Sequence, residues 1–162
     1  MTLWADADSL QAEIRSLICK RAGREAESAA AAGRAPRFRA VFVAARMPPL
    51  APGPGVEAIV ADGGAEGAAD DRIAELCAPG DLAVTRDLPL AERLAERGLR
   101  VLNDRGSVFT AGDARERRSL RDRALELRAL GLAPESKKAP SWGAREMKAF
   151  SDALDRELAK AK

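Results

Sequence analysis

Aspartates follow four of the apolar, strand-like runs in this chain of 162 residues. They come directly after a run or within the first helical turn beyond it, as Asp6 with Asp8, Asp62 with Asp70 and Asp71, Asp87, and Asp104. In a parallel α/β sheet the carboxyl ends of the strands lie on one edge, which is where ligands bind. The spacing therefore predicts one acidic site at that edge.

A site of this composition suits a divalent cation. The candidate ligands are Asp6, Asp8, Asp87 and one of Asp70 and Asp71. Three or four carboxylate oxygens hold Mg²⁺ or Mn²⁺ and leave positions open for water. Crowded carboxylates destabilise one another unless a cation compensates them, so the clustering favours a metal over a bare acidic patch. A metal of this kind activates water and neutralises charge on a phosphate, which predicts phosphoryl chemistry.

The same aspartates have a structural interpretation. Each precedes or opens a predicted helix, and aspartate is a favoured N-cap that suits the positive end of the helix dipole. Thr85 stands two residues before Asp87 and adds a hydroxyl that can hold a carboxylate or a water. The recurrence at one sheet edge favours a shared site, and the capping role stays open for each residue.

Composition removes several classes of protein. The chain contains no histidine, which excludes Ser-His-Asp and Cys-His catalysis and histidine-based metal ligation. Cys19 and Cys77 are isolated and are predicted to be structural thiols. Apolar residues make up 46% and charged residues 32%, which indicates a folded globular chain. No apolar run reaches membrane-spanning length and no signal-peptide pattern is evident, so we expect a cytoplasmic protein without a membrane partner.

Strand-like runs alternate with helix-like segments over the first two thirds of the chain. Strands are predicted at 2–5, 39–44, 56–61, 81–85 and 99–102, a short edge strand at 108–109, and helices at 10–32, 67–78 and 88–97. This alternation is typical of right-handed βαβ units and predicts a parallel-sheet, three-layer α/β/α fold. A charged helix over 113–130, a loop over 131–141 and an amphipathic helix over 144–162 are expected to follow and to pack on the domain. We expect a single domain, 1–162, with its core over about 1–110 and a C-terminal helical segment over about 111–162.

The arginines fall into two groups within a net charge of +2. Those at 115, 117, 118, 121 and 123 alternate with acidic residues, which favours a salt-bridged, solvated helix face over nucleic-acid contact. Arg34, Arg37, Arg39 and Arg46 have less acid between them and are the stronger candidates for phosphate contact. Arg46 and Arg86 are the predicted substrate-binding residues.

Several short motifs are distributed along nearly the whole chain. They are Trp4-Ala5-Asp6-Ala7-Asp8, Gly63-Gly64 before Ala68-Ala69-Asp70-Asp71, Pro79-Gly80-Asp81-Leu82 before Thr85-Arg86-Asp87-Leu88-Pro89-Leu90-Ala91, Asn103 with Arg105-Gly106, Arg115-Glu116-Arg117, and Ala149-Phe150 to Leu154-Asp155. Together they resemble the YaiI/YqxD family of uncharacterised bacterial proteins. The fold of that family is regarded as PIN-like, that is, similar to metal-dependent ribonucleases. The chain departs from the family pattern at Leu10-Gln11, where Cys-Pro is usual, and at Ala45, where asparagine is usual.

The resemblance implies a PIN-like acidic site. The catalytic residues would be Asp6, Asp70 and Asp87. The same three residues and Asp71 would be the metal ligands. The supporting residues would be Asp8, Thr85, Asn103 and Arg105. Asn103 then replaces Asp104 as a site residue, and Asp62 becomes a turn residue beside Gly63-Gly64.

Three functions remain open at this point. The leading hypothesis is a Mg²⁺- or Mn²⁺-dependent nuclease acting on RNA. The first alternative is a catalytically inactive PIN-like module that binds nucleic acid or protein. The second is a haloacid-dehalogenase-like phosphatase with Asp6 as nucleophile and Asp8 as general acid. The order of parts argues against the phosphatase, because Asp70-Asp71 precedes Thr85 and no lysine lies between Lys20 and Lys137. The oligomeric state is left open.

Overall fold

A computed structural model describes residues 1–51, 53–61, 67–130 and 142–160. The elements in chain order are β1 (Thr2–Asp6), α1 (Ala12–Ala31), β2 (Arg39–Ala44), β3 (Val56–Val60), α2 (Ala68–Leu76), β4 (Leu82–Val84), α3 (Leu88–Glu96), β5 (Arg100–Leu102), β6 (Val108–Phe109), α4 (Ala111–Ala129) and α5 (Ala144–Leu158). The predicted loop over 131–141, the end of the last predicted helix at 161–162 and the turn at Asp62-Gly63-Gly64 lie outside the described residues.

The strands form one sheet in the order β3-β2-β1-β4-β5-β6. All neighbouring pairs are parallel except β5 and β6, which are antiparallel. After β1 the chain continues to β2 on one side, and it returns to β4 on the other. A reversal of this kind leaves a crevice at the carboxyl ends of the two central strands, β1 and β4. This crevice is where the predicted acidic site lies.

The sheet is covered on both faces, which confirms the predicted three-layer α/β/α fold. On one face, α1 and α5 pack over the inward side chains of β1, β2 and β4, with Phe42 and Phe150 fully buried. On the other face, α2 and α3 cover Trp4, Val41 and Val101. Because both faces are buried, the central strands consist of continuous apolar runs instead of alternating patterns.

Strand β4 is one residue shorter at each end than the predicted 81–85, and Asp81 lies just before it. Its carboxylate accepts hydrogen bonds from the N–H of Thr2 at 2.7 Å and from the indole N–H of Trp4 at 3.0 Å. It also accepts one from the N–H of Ala78 at 3.1 Å. Asp81 therefore joins the amino ends of β1 and β4, at the edge of the sheet opposite the acidic site.

The two groups of arginines form ion pairs in different parts of the fold. Arg34 and Arg37 pair with the buried Glu25 at 2.7 and 3.1 Å, close to the amino end of β2, where Arg39 pairs with Glu57. These three candidates for phosphate contact are thus engaged in ion pairs away from the acidic edge. On α4, Arg115 and Arg118 pair with Glu92 of α3, as expected of a salt-bridged helix face.

None of the helices in the described part of the chain combines the length and the apolar character needed to cross a membrane.

Candidate functional site

Asp6 and Thr85 meet at the centre of the carboxyl edge. Asp6 is the last residue of β1 and Thr85 directly follows β4, and both side chains are buried because these strands are central neighbours. The hydroxyl Oγ1 of Thr85 donates a 2.6 Å hydrogen bond to Oδ2 of Asp6. A carboxylate at this depth needs such donors, and this one orients Asp6 across the crevice.

Ser9 links the same two strand ends, a role that the sequence reasoning missed. Its backbone N–H donates to Oδ1 of Asp6 at 3.3 Å, and its hydroxyl Oγ accepts a bond from the N–H of Arg86 at 3.1 Å. The hydroxyl also lies 3.5 Å from Oγ1 of Thr85. The available signal was the spacing Asp6-x-x-Ser9, which allows a serine to bond back to an aspartate across one turn.

Asp87 is both a helix cap and a neighbour of the site. Its Oδ1 accepts the N–H of Leu90 at 2.8 Å, which caps α3. Its own N–H donates to Oγ1 of Thr85 at 2.9 Å, which ties the residue to the Asp6 side of the crevice. The cap uses one carboxylate oxygen, so it is compatible with the predicted site role.

Asp70 is the most strongly perturbed carboxylate of the site. It lies in the first turn of α2, is only partly exposed, and neither accepts a hydrogen bond nor forms an ion pair within the described residues. Burial raises the pKa of Asp70 to about 6, and the negative charges of Asp6, Asp87, Asp71 and Asp8 add to the effect. Desolvation and neighbouring negative charges both disfavour the ionised form of a carboxyl group, which is why they act in the same direction on Asp70.

Asp71 and Asp8 lie further out. Asp71 is exposed and pairs with Arg93 of α3 at 2.5 Å. Asp8 is exposed as well, and its Oδ2 accepts the N–H of Ala45 at 2.7 Å, which connects the turn after β1 to the end of β2. Both therefore have partners on the surface, whereas Asp70 has none among the described residues.

Asn103 and Asp104 both have partners close to the turn between β5 and β6. Oδ1 of Asn103 accepts the N–H groups of Arg105 and Ser107 at 2.9 and 2.8 Å, which shapes the turn between β5 and β6. Asp104 is buried and pairs with Nε of Arg86 at 3.0 Å. Asp104, which the resemblance replaces with Asn103 as a site residue, thus contacts the predicted substrate-binding residue Arg86. The side-chain amide of Asn103 stabilises the turn.

Arg86 brings a cationic group to the Asp6 side of the crevice, where it pairs with Asp104. Its Nη1 also donates to the Ser9 C=O at 3.4 Å, and 47% of its side chain is exposed. The other predicted substrate-binding residue, Arg46, is exposed just beyond β2, and the Arg105 side chain is exposed in the β5–β6 turn.

The comparisons with known proteins place the chain in a family. Residues 4–160 match the family described as uncharacterized BCR, YaiI/YqxD family. The chain belongs to the YaiI/YqxD family. Curated relatives called UPF0178 protein include those of Treponema denticola, 40% identical over 99% of this chain and 94% of the relative, and Treponema pallidum, 41% identical over 99% and 82%. The relative from Myxococcus xanthus is 35% identical, and the match covers 98% of this chain and 94% of the relative. No solved structure matches the chain.

This membership confirms the resemblance drawn from the motifs. For this YaiI/YqxD chain the metal remains a prediction, because the described residues contain no group of three acidic or cysteine side chains arranged to hold an ion. The donors at the carboxyl edge are carboxylate and hydroxyl oxygens, which is the chemistry that Mg²⁺ and Mn²⁺ prefer. The cysteines are buried away from these oxygens, and burial raises the pKa of Cys77 to about 12.

Proposed function

We propose that this YaiI/YqxD protein is a divalent-cation-dependent, nuclease-like protein that hydrolyses phosphodiester bonds in RNA. The observation that carries the proposal is the state of Asp70. This carboxylate is partly buried, has no donor or cation among the described residues, and lies in the field of Asp6 and Asp87. A neighbouring cation would favour the ionised form of such a group. At neutral pH, above its pKa of about 6, the group is largely ionised and a cation is the fitting partner.

The cation that fits is Mg²⁺ or Mn²⁺. Mg²⁺ commonly binds through one or two carboxylates, keeps several waters and completes its shell with substrate phosphates, so a preformed cage of three side chains is not required. Asp70 and Asp87 would hold it, with Asp6 beside them. When bound, such an ion supplies an activated water and neutralises charge on the scissile phosphate.

The residues of the chain itself position this chemistry. Thr85 fixes the direction of the Asp6 carboxylate through the 2.6 Å bond. Asp87 uses Oδ1 for the α3 cap, which leaves Oδ2 for a ligand. Arg86 is held by Asp104 and Ser9 with about half of its side chain exposed, so its guanidinium can meet a phosphate at the same edge. Arg46 offers a second, exposed cation for the RNA backbone.

A catalytically inactive binding module is the second candidate, and one observation favours it. Asp6, Asp8 and Asp87 each accept hydrogen bonds that order the loops after β1, β2 and β4. These bonds stabilise the edge whether or not a reaction takes place there, so the acidic residues also have a structural use.

The experiment compares cleavage of labelled single-stranded RNA by the purified chain in Mn²⁺ with cleavage by Asp6→Asn, Asp70→Asn and Asp87→Asn. Asparagine keeps the shape and the capping ability of each residue while removing its charge. The matched control is Asp152→Asn, because Asp152 is exposed on α5 and paired with Lys148. We expect loss of cleavage in the three site variants and retention in the control.

Equal cleavage by all five proteins would point to a contaminating nuclease and would contradict the proposal. Calorimetric titration with Mn²⁺ separates the second candidate. Binding that depends on Asp70, together with the absence of turnover on RNA, would assign the inactive module.

A further inference from the structure

Among the described residues, the outer side of β3 is an open ladder of peptide groups. β3 is at one end of the sheet, and β2 is its only strand neighbour in the described part of the chain. The C=O of Gly55 and the N–H of Ala61 bond to β2 at 2.8 and 2.9 Å. Because peptide groups alternate in direction along a strand, Ala58 and Val60 point their N–H and C=O groups away from β2.

The side chains along this edge do little to prevent pairing. Val60 is 56% exposed and Ala58 is exposed. The single charged residue of β3, Glu57, pairs with Arg39 of the neighbouring strand at 2.7 Å. Natural edge strands are commonly protected by lysine, proline, a bulge or very short length. The strand at the other end, β6, is two residues long, whereas β3 has five residues and none of these protections.

We propose that two copies of this chain associate through β3, antiparallel, about a twofold axis at Ala58, so that their sheets become continuous. In this register the N–H of each Ala58 faces the C=O of its counterpart. The N–H of Val60 faces the C=O of Val56 in the other copy. The N–H of Val56 is already bonded within the chain, to the C=O of Gly53 at 3.2 Å, and takes no part. The edge is therefore self-complementary, which is the requirement for a twofold interface.

The charges disfavour one of the neighbouring registers. With Ala58 on the axis, Glu57 lies opposite Ile59 of the other copy, and Val56 lies opposite Val60. A shift that placed Val56 opposite Ala58 would set the two Glu57 carboxylates against each other, which is unfavourable in an antiparallel pair. A groove of about 660 Å³ adjoins β3 and is lined by Ile59, Val60 and Arg72, among others. The proposal does not depend on the nuclease activity.

The test is the mass of the full chain by sedimentation velocity at concentrations from roughly 1 to 100 μM. We expect the wild type to reach twice the monomer mass within this range. Ala58→Pro removes an outward N–H but leaves the bonds to β2 intact, and Val60→Lys places a charge on the edge. Both variants should remain monomeric with an unchanged circular dichroism spectrum. Val108→Lys, on the opposite edge strand, is the matched control and should dimerise like the wild type.

A second measurement guards against a variant that fails to fold. Amide hydrogen exchange in the wild type should slow at Ala58 and Val60 as the protein concentration rises, with no change at Val108. A wild type that is monomeric at every concentration would overturn the proposal. So would a dimer that persists unchanged in both Ala58→Pro and Val60→Lys.

Discussion

Oγ1 of Thr85 lies 2.6 Å from Oδ2 of Asp6 and 2.9 Å from the backbone nitrogen of Asp87. This one hydroxyl donates to the carboxylate at the end of β1 and accepts from the peptide that opens α3. The two halves of the crevice, which belong to distant parts of the sequence, are thus connected by a buried threonine that is 1% exposed.

Replacing Thr85 with valine should weaken this connection. Valine keeps the shape but removes the hydroxyl, so a buried carboxylate oxygen and a backbone N–H both lose a partner. The expected cost is about 1 to 3 kcal/mol in the free energy of unfolding, measured with urea. Thr85→Ser retains the hydroxyl and is the control, and equal destabilisation by both variants would assign the effect to packing.

Asp70 should make the metal-free protein less stable as the pH rises. Its pKa is about 6 in the folded chain and 3.8 ordinarily, so between these values the folded state binds more protons than the unfolded state. Stability therefore falls as the pH rises through this window. Asp70→Asn should be more stable than the wild type by about 1 kcal/mol at pH 7.5, after allowance for solvent screening, and similar to it near pH 4.

Urea unfolding in a chelator at the two pH values measures this difference, with Asp152→Asn on α5 as the control that leaves the charges around Asp70 in place. Adding Mn²⁺ should raise the melting temperature of the wild type and remove its disadvantage against Asp70→Asn. An Asp70→Asn variant that is less stable than the wild type at pH 7.5 without metal would contradict the assigned charge crowding.

The pair formed by Arg86 and Asp104 predicts an asymmetric response. Arg86→Ala leaves a buried carboxylate without its cation and should cost about 1 to 2 kcal/mol, a value reduced by the exposure of the arginine. The double variant Arg86→Ala with Asp104→Asn should recover part of this loss. Urea unfolding of the single and double variants forms the cycle, and strictly additive losses would show that the two groups do not interact.

The ion pairs of Glu25 should stabilise the folded wild type relative to Glu25→Gln, and this difference should disappear in acid. Hydrogen bonds from Arg34 and then Arg37 lower its pKa from 4.5 to about 2. The stabilisation is therefore complete above pH 4.5 and is lost as the pH falls towards 2. Glu25→Gln should be less stable than the wild type by about 1 to 2 kcal/mol at pH 7, with the exposed arginines limiting the effect. Unfolding at pH 7 and pH 2.5 tests this, and Glu27→Gln, exposed on the same helix, should change neither value.

The order of the elements was predictable because it depends on local pattern. Short apolar runs and helical periodicity depend on neighbours within a few residues, and they placed β2 at its observed bounds, Arg39–Ala44. The parallel arrangement then followed from βαβ handedness, which brought Asp6, Thr85 and Asp87 to one edge. The motifs that resembled the YaiI/YqxD family are likewise local strings of residues.

The partners of the individual side chains were decided by the tertiary structure. Asp70 and Asp71 are adjacent in sequence, yet one lies in the acidic crevice and the other pairs with Arg93, because successive residues on a helix point about 100° apart. Asp104 meets Arg86 only because β4 and β5 are neighbours. The sequence by itself determined that acidic residues gather at the carboxyl edge. Only the packing of distant elements decided which of them are paired and which have no partner among the described residues, since those contacts join residues far apart in the chain.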